Sequence, residues 1–171
     1  LRLHFDAAGS VTDYRRDLDL DTAIATTTYT ASGTTYRREA LVSAPDQVIA
    51  IRLMCDAAGG LTFRVSLDSP LRYTVSAAGD ARLCLTGKAP IEARPSYLRS
   101  SDPVIYDPQG EGMDFAVYLH VLTEGGAIAI SDGALQVTGA SAATLYVSAG
   151  TSFNGFARPP GFAGADPHGR A

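Results

Sequence analysis

Asp17, Asp19 and Asp21 stand at alternate positions, the spacing at which a calcium loop opens with oxygen ligands. Such a loop has Gly at its sixth position and Glu at its twelfth, and here those are Thr22 and Thr28. The stretch therefore reads as a solvated or turn-capping acidic segment with Leu18 and Leu20 buried. The histidines His4, His120 and His168 are far apart, and none sits at a zinc-like spacing from another ligand. His120 alternates with Leu119 and Val121, which places it on the outward face of a strand or at an interface. There is no G-x-S-x-G elbow, no phosphate loop, and no cysteine at a helix start that would lower its pKa. A glycosidase needs two carboxyls flanking a cleft. Glu92, Asp102, Asp107, Glu111 and Asp114 are near one another in sequence only, and a charged loop is ordinarily a solvated surface. Tyr97, Tyr106 and Tyr118 could stack on sugar, yet the chain has no Trp, so packing in the core or at an interface is the expected role. No catalytic group, metal site or cofactor site emerges.

The elements that would position such groups are strands. The 171 residues are 46% hydrophobic and 19% charged, enough to bury a single core without metal or disulfide staples. A net charge of -4 with scattered basic residues argues against nucleic acid or an anionic membrane as a partner. No apolar run is long enough to span a bilayer as a helix. Localisation stays open between secreted and cytoplasmic. From Ile24 onward, short Val/Ile/Thr/Tyr-rich segments alternate with Gly- and Pro-containing breaks. Leu61, Phe63, Val65 and Leu67 point one way, and Phe115, Val117, Leu119 and Val121 repeat the pattern. Leu71–Val75 and Ala81–Leu85 predict a meander, and Asp132-Gly133 predicts a tight hairpin. Lys88 to Gly112, with Pro90, Pro95, Pro103 and Pro108, reads as a long irregular connection or a crossover between sheets. About eleven strands predict an all-β fold, a two-sheet antiparallel β-sandwich over residues 1–153, followed by a Gly/Pro/Ala-rich linker or disordered tail over 154–171. Strand parity places Cys55 and Cys84 on opposite faces, so free thiols are expected rather than a disulfide.

The run Tyr14-Arg15-Arg16-Asp17-Leu18-Asp19-Leu20, then Tyr36-Arg37-Arg38-Glu39-Ala40 leading to Ser43-Ala44-Pro45-Asp46, resembles the amino-terminal domain of glycoside hydrolase family 95. Leu85-Thr86-Gly87, Gly112-Met113-Asp114-Phe115, Leu135-Gln136-Val137-Thr138-Gly139-Ala140 and Ala149-Gly150-Thr151-Ser152-Phe153 follow in the same order, so the likeness spans about residues 1–157. The Arg, Leu-Asp-Leu and Arg-Glu features recur more loosely in family 65 phosphorylase-like enzymes. The resemblance implies a supersandwich-like domain, incomplete at its N-terminal edge, that precedes an (α/α)6 barrel. That barrel would carry the inverting hydrolysis of terminal α-L-fucosyl linkages in fucosylated glycans. The general acid Glu and the Asn and Asp that position water belong to the barrel, so no catalytic residue carries over. The partner expected is the barrel of the same parent chain. Tyr14, Arg16 and Glu39 are expected to cluster where the chain enters its strands, with Asp17 and Arg38 beside them. Met113 and Phe153 are expected at the edge that meets the barrel. Two further roles stay open: a free-standing carbohydrate-binding or adhesion sandwich, and the sandwich domain of a family 65-like phosphorylase.

Overall fold

The computed structural model of the chain describes residues 1–5, 9–107 and 111–171; Pro108, in the proline-rich connection, lies outside them. Strand accounts for 57% of the structure and helix for 6%. The strands are β1 (Arg2–His4), β2 (Val11–Asp19), β3 (Ile24–Ala31), β4 (Thr34–Ser43), β5 (Val48–Cys55), β6 (Leu61–Ser66), β7 (Tyr73–Ala77) and β8 (Arg82–Lys88). After them come β9 (Glu92–Ala93), β10 (Val104–Ile105), β11 (Asp114–Glu124), β12 (Ala127–Ser131), β13 (Ala134–Ala140) and β14 (Ala142–Thr151), then the one-turn helices α1 (Pro160–Ala163) and α2 (Pro167–Arg170). Eight strands form one antiparallel sheet, in the order β2-β3-β4-β5-β14-β11-β8-β7. Four form a second, in the order β1-β6-β13-β12, and β9 and β10 pair separately.

Alternation decides what lies between the sheets. In β6, Leu61, Phe63 and Val65 are buried while Thr62 and Arg64 are exposed, because successive side chains leave a strand on opposite faces. The facing sheet contributes Leu53, Leu83, Leu85, Leu119, Val121 and Leu145, and these with Leu135 and Val137 make one continuous core. Burial of these apolar groups is the main favourable term in the fold. The small sheet covers only part of the large one, and no residue of β2 or β3 belongs to the core cluster. This overturns the expectation for the acidic stretch: it lies on edge strand β2 and the turn after it, with Leu18 63% and Leu20 84% exposed. Their apolar character is unmatched by any layer opposite them.

After β1, in the small sheet, the chain enters the large sheet and leaves it twice. It passes from β5 to β6 and back to β7, and from β11 through the β12–β13 hairpin to β14. The second departure needs Gly126, whose φ is +70° and whose missing side chain would run into the carbonyl of Thr138. The hairpin turns on Asp132 and Gly133, both left-handed at φ 50° and 68°, as a two-residue turn between twisted strands demands. The β7–β8 meander forms as expected.

Of the two readings of segment 88–112, the long irregular connection holds and the crossover does not. The segment joins β8 to β11, which are neighbours in one sheet, so it is an excursion that leaves the sheet and returns. The excursion is stiffened by the β9–β10 pair and a 3-10 turn at Ser96–Leu98. The two cysteines are free, Cys55 against the core and Cys84 on the opposite face. The last segment also differs from an unstructured tail. Helix α2 sits on β14 and β11, and Gly150 is the reason, since any side chain there would strike the carbonyl of Pro167. Asp166 caps α2 by accepting from the backbone N–H groups of His168 and Gly169.

Leu119→Ala removes a fully buried side chain from the middle of the core. It is expected to lower stability by about 2–5 kcal/mol, read as a drop in the denaturant midpoint at unchanged slope.

Candidate functional site

Met113 precedes β11 and Phe153 follows β14, and antiparallel register brings these two ends of the pair together. Ser152 locks the junction: its N–H donates to the carbonyl of Asp114 at 2.9 Å, and its buried hydroxyl accepts from the Asp114 N–H at 2.9 Å. Lys88 ties the incoming chain down, donating to the Gly112 carbonyl at 2.9 Å and pairing with the Asp114 carboxylate at 3.1 Å. Gly112 passes so close to the Ala89 carbonyl that no side chain fits there. The result is an open concavity of about 610 Å³ whose wall includes Ile91, Met113, Phe153, Phe156 and Pro160. Phe153 and Phe156 meet edge to face at 5.3 Å, and Phe156 is 99% exposed.

The other residues singled out in the sequence fall in three places. Across the large sheet, Arg16 is in line with Thr27 and Arg38, whereas Asp17 is in line with Thr26 and Glu39. Arg16 and Glu39 are thus on opposite faces, and the anticipated Tyr14–Arg16–Glu39 cluster does not form. Tyr14 stands exposed beside a bulge in β2, where Asp13 adopts φ 53°. Arg38 turns inward over the Phe5 ring at 5.8 Å, with its Nε buried and unpaired among the described residues.

The outward face carries a row of ion pairs instead. Arg15 binds Asp17 through two contacts of 2.7 and 2.8 Å, Arg37 holds Glu39 at 2.6 Å, and Arg52 holds Glu124 at 2.6 Å. The Arg15 hydrogen bond keeps the Asp17 carboxyl below its ordinary pKa, with the charges of Arg15 and Arg37 adding to the effect. These pairs are exposed, so each contributes little to stability.

Two of the carboxylates weighed for glycoside cleavage are held in ion pairs. Glu92 pairs with Arg94 at 2.7 Å, which lowers its pKa, the reverse of what a general acid needs. Asp114 is taken by Lys88. The three tyrosines also part company. Tyr97 is exposed on the 3-10 turn, Tyr106 lies under the Arg72 guanidinium at 4.1 Å, and the Tyr118 hydroxyl is 2.9 Å from Nδ1 of His168. Among the described residues no group of three His, Cys, Asp or Glu side chains could hold a metal ion, and no helix is long and apolar enough to cross a membrane.

One concavity was not anticipated. On the outward face beside α2, Arg82, Tyr118, His120, Tyr146, Ser148 and His168 line about 330 Å³. The register puts His120 opposite both Arg82 and Tyr146, and Tyr118 opposite Ser148. Parity already placed His120 outward in the sequence; its neighbours come from strands far away in the chain and left no local signal.

The architecture is that of an antiparallel β-sandwich domain. Residues 1–155 match the family described as glycosyl hydrolase family 65, N-terminal domain, and the chain belongs to that family. It is 32% identical over 166 residues to alpha-L-fucosidase 2 of Arabidopsis thaliana, a match that covers 91% of this chain and 19% of that protein. The chain therefore spans about a fifth of that relative, and the two matches together support the N-terminal sandwich domain anticipated from the motifs. A solved structure assigned as a kojibiose phosphorylase from the human microbiome superposes with a TM-score of 0.52 at 13% identity, over 94% of this chain and 22% of that one. It shares the fold.

Two outcomes are expected. Ser152→Ala strips the Asp114 N–H of its acceptor and should cost about 1–3 kcal/mol in chemical denaturation. The carboxyls of Asp17, Asp19 and Asp56 have pKa values lowered in the fold, Asp19 by the backbone N–H of Asp21 and Asp56 by that of Thr35. A depressed folded value means the stabilisation is full above the unfolded value and lost as pH falls through the folded one. Denaturation midpoints should therefore decline below about pH 4, and Asp56→Asn should flatten that decline.

Proposed function

We propose that this chain is the non-catalytic N-terminal sandwich domain of an α-L-fucosidase-like glycoside hydrolase. In this reading the parent protein cleaves terminal α-L-fucosyl linkages by inversion on an (α/α)6 barrel. The sandwich supports that barrel through the apolar concavity at Met113, Phe153 and Phe156. The observation that carries the reading is the 32% identity to a fucosidase over 91% of the chain. Two further points support it: the carboxylates Glu92 and Asp114 are engaged by Arg94 and Lys88, and the Phe156 ring is left without cover. In this reading the carboxyl that protonates the leaving oxygen is supplied by the barrel.

A match to family 65 also admits a second reading, in which the parent is a phosphorylase and the sandwich has the same supporting role. The two differ in the nucleophile, water in one and phosphate in the other.

Release of aryl α-L-fucoside is to be compared between this chain and the longest reading frame that contains it. Activity in the longer protein alone, independent of phosphate, is the expected result. Turnover by this chain alone would overturn the supporting role, and phosphate-dependent formation of a sugar 1-phosphate would transfer the parent to the phosphorylases. Phe156→Ser in the longer protein is expected to weaken domain packing, seen as earlier separation of two thermal transitions.

A further inference from the structure

The outward face of the large sheet holds its arginines in two different ways. Arg15, Arg37 and Arg52 each have a carboxylate, in Asp17, Glu39 and Glu124. Arg82 has no carboxylate partner among the described residues, and no Asp or Glu lines the concavity it enters. Asp166, on the turn into α2, is already occupied by the N–H groups of His168 and Gly169. Around Arg82 stand His120, Tyr146 and Ser148, none of which has a hydrogen-bonded side-chain partner among the described residues, with Tyr118 and His168 bonded to each other as the far wall. The site holds a guanidinium and no carboxylate, among hydroxyl and imidazole groups that can donate or accept. Its positive character is felt within the pocket, where burial and the Arg82 charge both hold the His120 pKa down.

We infer that this concavity binds the carboxylate of an acidic pyranose, a uronic acid unit, at Arg82. A guanidinium presents two parallel N–H groups that match a carboxylate, and a planar anion is the ligand best suited to an unpartnered one. The rest of the pocket suits a sugar ring better than a bare ion. Tyr118 and Tyr146 offer aromatic surface to C–H groups, while Ser148 and His120 offer hydrogen bonds to ring hydroxyls. The volume of about 330 Å³ is at the small end of ligand sites, the size of one ring rather than an oligomer. The strands hold the site firmly, because Arg82, His120 and Tyr146 come from three adjacent strands in one hydrogen-bonded row.

Isothermal titration of this chain with D-galacturonate and D-glucuronate tests the assignment, with L-fucose, acetate and inorganic phosphate as comparison ligands. The expected result is saturable binding of a uronate. Arg82→Gln should weaken it roughly tenfold or more, Tyr146→Phe should weaken it less, and Arg15→Gln should leave it unchanged. Circular dichroism confirms that each variant keeps its strand signal; Arg82 and Tyr146 are both exposed, so the fold does not depend on them. Failure of either uronate to bind overturns the assignment, as does equal affinity for L-fucose, for acetate or for phosphate, or an Arg82→Gln variant that binds as the parent does.

Discussion

Ten consecutive residue pairs between β11 and β14 constitute the constraint on which the rest of the molecule depends. Once Phe115 is opposite Thr151, every side chain on both strands has its face assigned, and a slip of one residue would exchange them all. The inward set, Leu119, Val121 and Leu145, is fully buried and makes the centre of the core. The outward set, Tyr118, His120, Tyr146 and Ser148, lines the concavity at Arg82. The ends of the same ladder bring Met113 and Phe153 side by side. Core, pocket and edge concavity are three readings of one register.

The two surfaces so produced differ in kind. The concavity at Phe156 is open and mainly apolar, with Glu111 and Arg158 in its wall, and its walls come from three separate stretches of chain that meet around the Asp114–Ser152 junction. The concavity at Arg82 is polar, built on the flat of the sheet, and roofed by α2. Burying the first removes apolar surface from water, which is the energetics of lasting association between domains. Filling the second would exchange hydration of a guanidinium for charge-assisted hydrogen bonds, which is the energetics of reversible capture.

Period-2 alternation made most of the core legible. Leu61, Phe63 and Val65 declare their face in sequence because β6 has one wet side, and Phe115, Val117, Leu119 and Val121 do so because large apolar groups alternate with smaller or polar ones. Cys55 and Cys84 were separable by the same parity. Leu18 and Leu20 deceived for a physical reason: alternation says which residues share a face but not whether another layer covers it, and β2 extends beyond the small sheet. Arg16 and Glu39 failed as a cluster because nearness to a shared motif says nothing of parity across strands. Nor could the sequence show that β8 and β11 are neighbours, so the stretch between them was readable equally as an irregular connection or as a crossover. The tail hid its docking because what seats α2 is an absence, the missing side chain of Gly150. The tightly bonded Asp114–Ser152 junction likewise has no local signature, as its members are 38 residues apart.

The last strand in the chain is also a central strand of the large sheet, lying between β5 and β11. Until β14 exists, β2 to β5 and β7, β8 and β11 are two separate half-sheets with no ladder between them, each showing an unpaired edge. The structure thus has to be closed by insertion rather than by growth at its margin, and the contacts that close it, such as Ala142 with Met54, join residues nearly ninety positions apart. Long-range pairing of this kind slows folding and prolongs the exposure of open edges. During synthesis the domain can complete its principal sheet only after almost its whole length has left the ribosome, so it is the end of the chain, rather than its beginning, that sets the moment at which the fold becomes cooperative.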